Sequence, residues 1–345
     1  MSDSDCCCAS AGCCDEQPVK TVSTSLTFRD HIGVWKVRWG IGRMDYKVEP
    51  GLYAVGKPDN HSPVFVSANY KLTFDVLRSN LDGLDGWLLI LDTKGINVWC
   101  AAGKGTFGTD ELLRRIETSE LAAYVSHKRL VLPQLGATGV SAHEVTRRSG
   151  FNIHYGPVRA EDIKAYINAG YKAEREMRTV AFTLWDRLVL TPVELVPTLK
   201  KALPFFGVML SANRFAAKPF DETDFAANAG AILSGAVLTP ALLPYIPGRA
   251  FAWKGWLLGL GCTAAILGVS GKFRKGSRLL STGGLLLYPA ISAYLAMNFT
   301  GASTYTSPSG VNKEMRKALP FIAGAAAIGG ALTLGFHLFG GRKRK

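Results

Sequence analysis

Cysteine is almost absent from this chain beyond its N-terminus. Of the 7 cysteines in 345 residues, only Cys100 and Cys262 lie after the first 14 positions. The N-terminal group comprises Cys6, Cys7, Cys8, Cys13 and Cys14. This group has neither the spread of a disulfide framework nor the Cys-x-x-Cys spacing of an iron–sulfur site. Vicinal thiols do suit a soft ion such as Hg(II), and Cys13 and Cys14 are the candidate ligands.

A secretory signal is also lacking. Residues 1–20 are polar and cysteine-rich and contain no apolar core segment. We therefore expect residues 1–20 to form a disordered tail. The N-terminal half of the chain is then expected to stay in the cytoplasm, where its cysteines would remain thiols.

Acidic residues are missing from four apolar stretches in the C-terminal part. These stretches are residues 226–246, 251–271, 279–299 and 318–339. Each has about the ~20 residues that cross a bilayer, and each is rich in small residues. We predict an all-α transmembrane domain over residues 226–340 and a basic tail at 341–345. A net charge of +13 fits a protein at a membrane surface.

The segment of residues 179–225 is ambiguous. It is apolar but is interrupted by charged residues and prolines, so it reads as a linker, an interfacial segment or a first span. Four spans would place the basic loop at 272–278 and the C-terminus inside, as the positive-inside rule favours, whereas five would place both outside. The sequence leaves the count at four or five, in a multi-pass protein of the cytoplasmic membrane.

Residues 21–178 read as an α/β domain. Strands are predicted at 63–67, 87–92, 129–133 and 151–155, and helices at 72–80, 109–116, 141–150 and 160–169. Ser141 and Glu144 have the spacing of a capping box. This alternation predicts a Rossmann-like parallel sheet, whose ligands bind beyond the carboxyl ends of the strands. The loops there, at 93–108, 134–140 and 156–159, are rich in small residues and would admit a large flat ligand.

Cys100 lies in the most informative stretch, Asn97-Val98-Trp99-Cys100-Ala101-Ala102-Gly103-Lys104. Asn97 is suited to cap a short helix, which would place Cys100 at its third position. A sulfur on such an element is a nucleophile or a ligand for a soft metal. The alternative is a buried structural cysteine. The glycines at 103, 105 and 108 match a dinucleotide-binding pattern, but they do not directly follow a strand and more simply end the helix.

This octapeptide resembles the signature of the mercury-methylating corrinoid proteins, membrane methyltransferases of anaerobic microbes. In addition, residues 69–75 look like the corrinoid domain of the corrinoid iron–sulfur protein of the acetyl-CoA pathway. The resemblance implies that Cys100 is catalytic and coordinates the cobalt of a base-off, cobalamin-type corrinoid. With the loops at the sheet edge, it gives as candidate corrinoid-binding residues Asn97, Val98, Trp99, Cys100, Ala101, Ala102, Gly103, Lys104, Thr106, Gln134, Gly136, Gly139 and Gly156.

The resemblance also implies a reaction and partners. A methyl group would come from a methyltetrahydrofolate-linked donor and be delivered to Hg(II), forming methylmercury. A ferredoxin-type protein with two [4Fe–4S] clusters would supply electrons, membrane lipid would surround the helices, and no nucleic acid is expected. One alternative is a corrinoid methyl carrier of one-carbon or acetyl-CoA metabolism with a different acceptor. Another is a transporter with a nucleotide-binding domain, which the lack of charge within the four stretches disfavours.

Overall fold

The computed structural model of the chain describes residues 19–275 and 278–339. Cys13, Cys14 and the basic tail at 341–345 lie outside these residues. The described chain divides into two compact units. The first comprises residues 19–32 and 44–179, and the second residues 33–43, 180–275 and 278–339. The boundaries predicted for the domains stay a prediction.

The first unit is built on one six-stranded sheet. Its strands are β1 (Lys20–Val22), β2 (Gly51–Val55), β3 (Val64–Ala68), β4 (Gly86–Leu91), β5 (Arg129–Leu132) and β6 (Asn152–Tyr155), in the order β1-β2-β4-β3-β5-β6. Four neighbouring pairs are parallel, but β2 is antiparallel to β4. The sheet is therefore mixed, not purely parallel as predicted. Residues 56–63 connect β2 to β3 and are too few for the crossover that parallel strands need.

Helices cover the sheet and agree largely with the predicted pattern. They are α2 (Lys71–Asn80), α3 (Val98–Lys104), α4 (Thr109–Thr118), α5 (Leu121–Tyr124), α6 (Ala142–Ser149) and α7 (Ile163–Asn168). Helix α1 (Phe28–Arg38) begins in the first unit and ends in the second. The helix expected at 160–169 is shorter, because its first residues form a 3₁₀ turn, Ala160–Asp162. The predicted capping box is wrong: the Ser141 side chain makes no cap hydrogen bond, and its hydroxyl lies 3.0 Å from His143 Nδ1. Strand β1 also begins at Lys20, within the expected tail.

Strands β3 and β4 are buried along their whole length, as their continuous apolar runs indicated. Alternate residues point to opposite faces of the sheet. Leu89 and Leu91 pack on one face with α3 and α4. Leu88 and Ile90 pack on the other face with α2 and α7. Two hydrophobic layers therefore fix the sheet, and its carboxyl edge is the place where the predicted site residues follow the strands.

The second unit is helical. Its helices are α8 (Leu184–Ala212), α9 (Glu222–Leu233), α10 (Thr239–Leu242), α11 (Phe251–Val269), α12 (Lys272–Lys275), α13 (Arg278–Asn298) and α14 (Pro308–Phe339). A π-helical segment, Ser234–Leu238, joins α9 to α10. In the part of the chain that the structure describes, five segments are long and apolar enough to cross a membrane: Leu184–Ala212, Glu222–Leu242, Phe251–Val269, Arg278–Ala302 and Ser309–Phe339.

Glycines allow α11, α13 and α14 to pack closely. A Cβ on Gly255 of α11 would lie 2.4 Å from the Cβ of Ala296 on α13. A Cβ on Gly329 of α14 would lie 2.5 Å from the backbone nitrogen of Leu287 on α13. Such backbone-to-backbone approach is typical of helices that pack within a membrane.

Candidate functional site

Asn69 organises the edge of the sheet where the predicted site lies. It directly follows β3, and only 1% of it is exposed. Its Oδ1 accepts hydrogen bonds from the backbone nitrogens of Thr93 (3.1 Å) and Gly95 (2.9 Å). Its Nδ2 donates to Asp92 Oδ1 at 3.2 Å. One buried amide thus holds the end of β3 against the loop that runs from β4 into helix α3.

Glu111 on α4 holds the same loop from its other side. Its Oε1 accepts a hydrogen bond from the backbone nitrogen of Asp92 at 2.8 Å and pairs with Arg115 at 3.0 Å. Burial alone would raise the pKa of Glu111, but the hydrogen bonds from Asp92, Arg114 and Arg115 outweigh burial and lower it. The carboxylate is therefore ionised at neutral pH and fixes the point at which the chain leaves β4.

Helix α3 presents Cys100 as the sequence predicted. Asn97 caps the helix, and its Oδ1 accepts a hydrogen bond from the backbone nitrogen of Cys100 at 3.0 Å. Gly105 ends the helix in the left-handed conformation, at φ 81°. Cys100 is a free thiol and is half-buried. The cap and the glycine together limit α3 to 7 residues.

Helical periodicity divides the octapeptide into two faces. Val98, Ala101 and Ala102 are buried in the core of the unit. Cys100 is half-exposed, whereas Gly103 and Lys104, three and four residues later, are exposed. The predicted roles of these eight residues toward a ligand stay predictions. The side chains of Val98, Ala101 and Ala102 anchor α3, and only the Cys100 face is open.

The glycines in the neighbouring loop serve close packing. A Cβ on Gly139 would lie 2.1 Å from the carbonyl oxygen of Phe107 and 3.0 Å from Ala102 Cα. A Cβ on Gly136 would lie 2.6 Å from the Phe107 ring. Gly103 is different, because nothing lies within 4 Å of the position of its Cβ. The structure thus fixes the buried face of α3 tightly and leaves open space at Gly103, one turn after Cys100.

The other predicted residues lie at the same sheet edge but make structural contacts. Gln134 Oε1 accepts a hydrogen bond from Arg178 Nη1 at 2.7 Å. The Thr106 nitrogen donates to the carbonyl oxygen of Ala101 at 3.0 Å. Gly156 is buried, and its nitrogen donates to Leu132 at 2.7 Å. The half-buried ring of Trp99 lies on α3 next to Cys100. Their roles toward a ligand stay predictions.

Sequence reasoning missed the parts played by Asn69 and Glu111. Asn69 had a detectable signal, since a polar residue directly after a buried strand marks the ligand edge of an α/β sheet. Glu111 had none, because its partner is a backbone nitrogen on a distant loop. Within residues 19–275 and 278–339, no group of three or more His, Cys, Asp or Glu residues is arranged to hold a metal ion.

The sequence of part of the first unit matches one protein family. Residues 40–167, which run from before β2 to within α7, match a family described as CdhD, the CO dehydrogenase/acetyl-CoA synthase delta subunit. The match ends before α8, so the apolar helices that follow lie outside it. The relation to acetyl-CoA pathway proteins that the sequence indicated is therefore supported for the α/β unit.

The particular relatives are gamma subunits of acetyl-CoA decarbonylase/synthase complexes. The subunit of Archaeoglobus fulgidus is 33% identical over 131 residues, which is 37% of this chain and 27% of the relative. That of Methanopyrus kandleri is 31% identical over 127 residues, 36% of this chain and 27% of the relative. That of Methanocaldococcus jannaschii is 37% identical over 98 residues, 28% of this chain and 20% of the relative. The chain thus spans about a quarter of the length of these relatives, and their names do not refer to mercury.

Proposed function

We propose that this chain is a membrane-bound, corrinoid-dependent methyltransferase in which Cys100 is the protein ligand to cobalt. The observation that carries the proposal is the placement of Cys100 on a firmly anchored helix, beside the open space over Gly103. The match of residues 40–167 to the CO dehydrogenase/acetyl-CoA synthase family supports it. The five long apolar segments among the described residues support a location in a membrane, which we propose to be the cytoplasmic one.

The donor set fits a corrinoid. A base-off corrinoid would need one further metal ligand from the protein, and Cys100 would offer one sulfur. The free space over Gly103 suits a flat macrocycle. When bound, the corrinoid supplies a metal centre that takes up and releases a methyl group.

The chain's own residues position the sulfur. Asn97 fixes the first turn of α3 through its bond to the Cys100 nitrogen. Asn69 fixes the loop that leads into α3. The buried side chains of Val98, Ala101 and Ala102 resist displacement of the helix as a whole. A sulfur held this way would need little reorganisation to bind cobalt.

We propose Hg(II) as the methyl acceptor. The likeness of the whole octapeptide to the mercury-methylating proteins supports this choice, and so do the vicinal thiols Cys13 and Cys14, which suit a soft ion. The methyl donor would be a methyltetrahydrofolate-linked system. Electrons would come from a ferredoxin-type partner with two [4Fe–4S] clusters.

A second candidate has broader support from the comparisons. The gamma-subunit relatives belong to acetyl-CoA decarbonylase/synthase complexes, so the same α/β unit could carry methyl groups to a partner in such a complex. The acceptor would then be a protein-bound site on that partner, not Hg(II). The two candidates share the corrinoid and Cys100 and differ in the acceptor.

An anaerobic assay separates the candidates. The full chain, purified in detergent and loaded with corrinoid, receives a reductant, methyltetrahydrofolate with its methyltransferase, and either Hg(II) or an acetyl-CoA decarbonylase/synthase complex. We expect methylmercury with Hg(II), and we expect the ferredoxin to increase its yield. Methyl transfer to the complex without methylmercury would favour the second candidate. A chain that binds no corrinoid would contradict both.

A further inference from the structure

The helical unit contains a large cavity between α11, α13 and α14. Its volume is about 980 Å³. The cavity lies wholly within the second unit, and none of its lining residues belongs to the Cys100 site. The residues that line it are basic and aromatic at one end and apolar elsewhere, and this difference indicates what the cavity binds.

One end of the cavity is basic. Arg249 precedes α11, and Lys313 and Lys317 lie in the first turns of α14. None of the three forms an ion pair with a described residue. The one acidic residue in the lining, Glu314, instead accepts a hydrogen bond from the backbone nitrogen of Ala252 at 2.8 Å. Three cations and only one carboxylate line this end of the cavity, so it carries an excess of positive charge.

Aromatic rings lie at the same end. Trp253 and Trp256 of α11 stack with their ring centroids 5.5 Å apart and their planes 13° from parallel. Tyr305 joins them just before α14. Tryptophan and tyrosine beside basic residues are typical of helix ends at a membrane–water interface.

The rest of the cavity is apolar. It is lined by Leu286 and Ala290 of α13 and by Phe321, Ile322 and Ala325 of α14. Phe321 is 81% exposed in the described chain, which is unusual for so large an apolar side chain unless lipid or another apolar group covers it. A free anion such as phosphate would make no use of this apolar part.

We propose that this cavity binds an anionic phospholipid. The headgroup phosphate lies among Arg249, Lys313 and Lys317, and an acyl chain runs along the apolar lining. Basic pockets between membrane helices bind acidic headgroups in this way. The inference rests on the proposed membrane location and is independent of the corrinoid chemistry.

Binding of defined lipids to the delipidated full chain in detergent tests the charge requirement. Phosphatidylglycerol, phosphatidylcholine with the same acyl chains, and inorganic phosphate are titrated, and bound lipid is counted by native mass spectrometry. We expect phosphatidylglycerol to bind about tenfold or more tightly than phosphatidylcholine, because each basic residue near an acidic headgroup contributes roughly fivefold. Equal binding of the two lipids would overturn the proposal. Inhibition of lipid binding by millimolar phosphate would also overturn it, since the site would then be one for a free anion.

Two variants with matched controls test the location. Lys317→Gln should weaken phosphatidylglycerol binding by about fivefold, whereas Arg316→Gln should not, because Arg316 is exposed on the same helix and does not line the cavity. Ala325→Trp should exclude the acyl chain and abolish tight binding. Ala323→Trp should not, because Ala323 is exposed outside the lining.

Membrane fractionation of the wild-type chain and of the same variants is a separate measurement. A wild-type chain that is absent from the membrane fraction would overturn the membrane location and the lipid site together. If the wild-type chain is in the membrane fraction but the two variants of each pair bind lipid equally, only the lipid site is overturned. Retention of Ala325→Trp in the membrane with loss of tight lipid binding is the result that we expect.

Discussion

Single side chains determine how Cys100 is held. Asn69 is buried and has hydrogen-bonding partners on both its oxygen and its nitrogen, so the free energy of burying the amide is offset. Its substitution would leave the Thr93 and Gly95 nitrogens without that acceptor in a buried place. The position of the sulfur therefore depends on a residue that does not itself lie on α3.

Asn69→Ala should lower the free energy of unfolding by about 1–3 kcal/mol, because the Gly95 nitrogen loses its acceptor and the buried Thr93 nitrogen keeps only the Leu91 carbonyl oxygen. It should also reduce corrinoid loading, since the loop into α3 loses its anchor. The measurements are thermal unfolding and the ratio of corrinoid to protein after reconstitution. Asn152→Ala, at an exposed asparagine on β6, is the matched control. Equal effects of the two substitutions would show that Asn69 has no special role.

An ion-pair cluster in the first unit makes the free energy of unfolding depend on pH. The carboxylate of Asp30 contacts Lys71 Nζ at 2.7 Å and Arg78 Nη2 at 2.9 Å. Burial alone would raise the pKa of Asp30, but hydrogen bonds from Lys71 and Thr27 and the charge of Lys71 hold it far below its usual range. Because the pKa is lower in the folded chain, ionised Asp30 stabilises that state at pH values above about 4, and this contribution is lost as the pH falls further.

Asp30→Asn should destabilise the chain by about 1–3 kcal/mol at neutral pH, because two cations lose a charged partner. The difference from wild type should shrink steadily as the pH falls below about 4, where Asp30 of the unfolded chain takes up a proton while the folded carboxyl stays ionised. Thermal unfolding of both proteins in detergent between pH 7 and pH 3 measures this difference in stability. A difference that stays constant over this range would contradict the account.

At the scale of elements, α3 is a short helix with one packed face and one open face. Its packed face meets Gly139, and its open face carries Cys100 and Gly103. Substitution of Gly139 and of Gly103 should therefore have different effects on stability.

Gly139→Ala should destabilise the chain with or without corrinoid by about 1–3 kcal/mol, because its Cβ would meet the Phe107 carbonyl oxygen. Gly103→Ala should keep or raise stability, since alanine is the better helix former by up to about 1 kcal/mol. It should nevertheless lower corrinoid loading by occupying the open space. Unfolding midpoints and loading ratios of both variants test this contrast. Full loading of Gly103→Ala would mean that this face does not contact the ring.

Elements with strong local signals could be predicted from the sequence. Strands β3 and β4 are continuous apolar runs, and Asn97 does cap α3. The direction of β2 could not be predicted, because it depends on pairing with β4, a strand distant in sequence: Gly51 of β2 pairs with Ile90 of β4, 39 residues later. The Asn69 contacts could not be predicted either, since folding alone brings their loop partners together.

At the scale of the whole molecule, the chain joins an α/β unit to a helical unit whose described residues include five segments long and apolar enough to cross a membrane. The N-terminal cysteines precede the α/β unit. Val19 packs against the core of that unit, so a truncation that removes the cysteines must end before it.

Deletion of residues 2–15 should leave the corrinoid spectrum unchanged, because Cys100 and the loops at the sheet edge remain. Methylmercury formation should fall when Hg(II) is scarce, where its capture limits the rate, and should recover at saturating Hg(II). Rates of the truncated and full chains over a series of Hg(II) concentrations test this. Wild-type rates at every concentration would show that the tail is dispensable.

The visible absorption spectrum of the corrinoid-loaded chain, compared between wild type and Cys100→Ala, tests the central claim most directly. Cys100 is half-buried, so its truncation should leave the fold and membrane insertion intact. The account predicts that both proteins bind corrinoid and that the bands of the variant shift to those of the base-off cofactor with water as ligand, with loss of methyl transfer. Identical spectra for the two loaded proteins would contradict the assignment of Cys100 as the cobalt ligand.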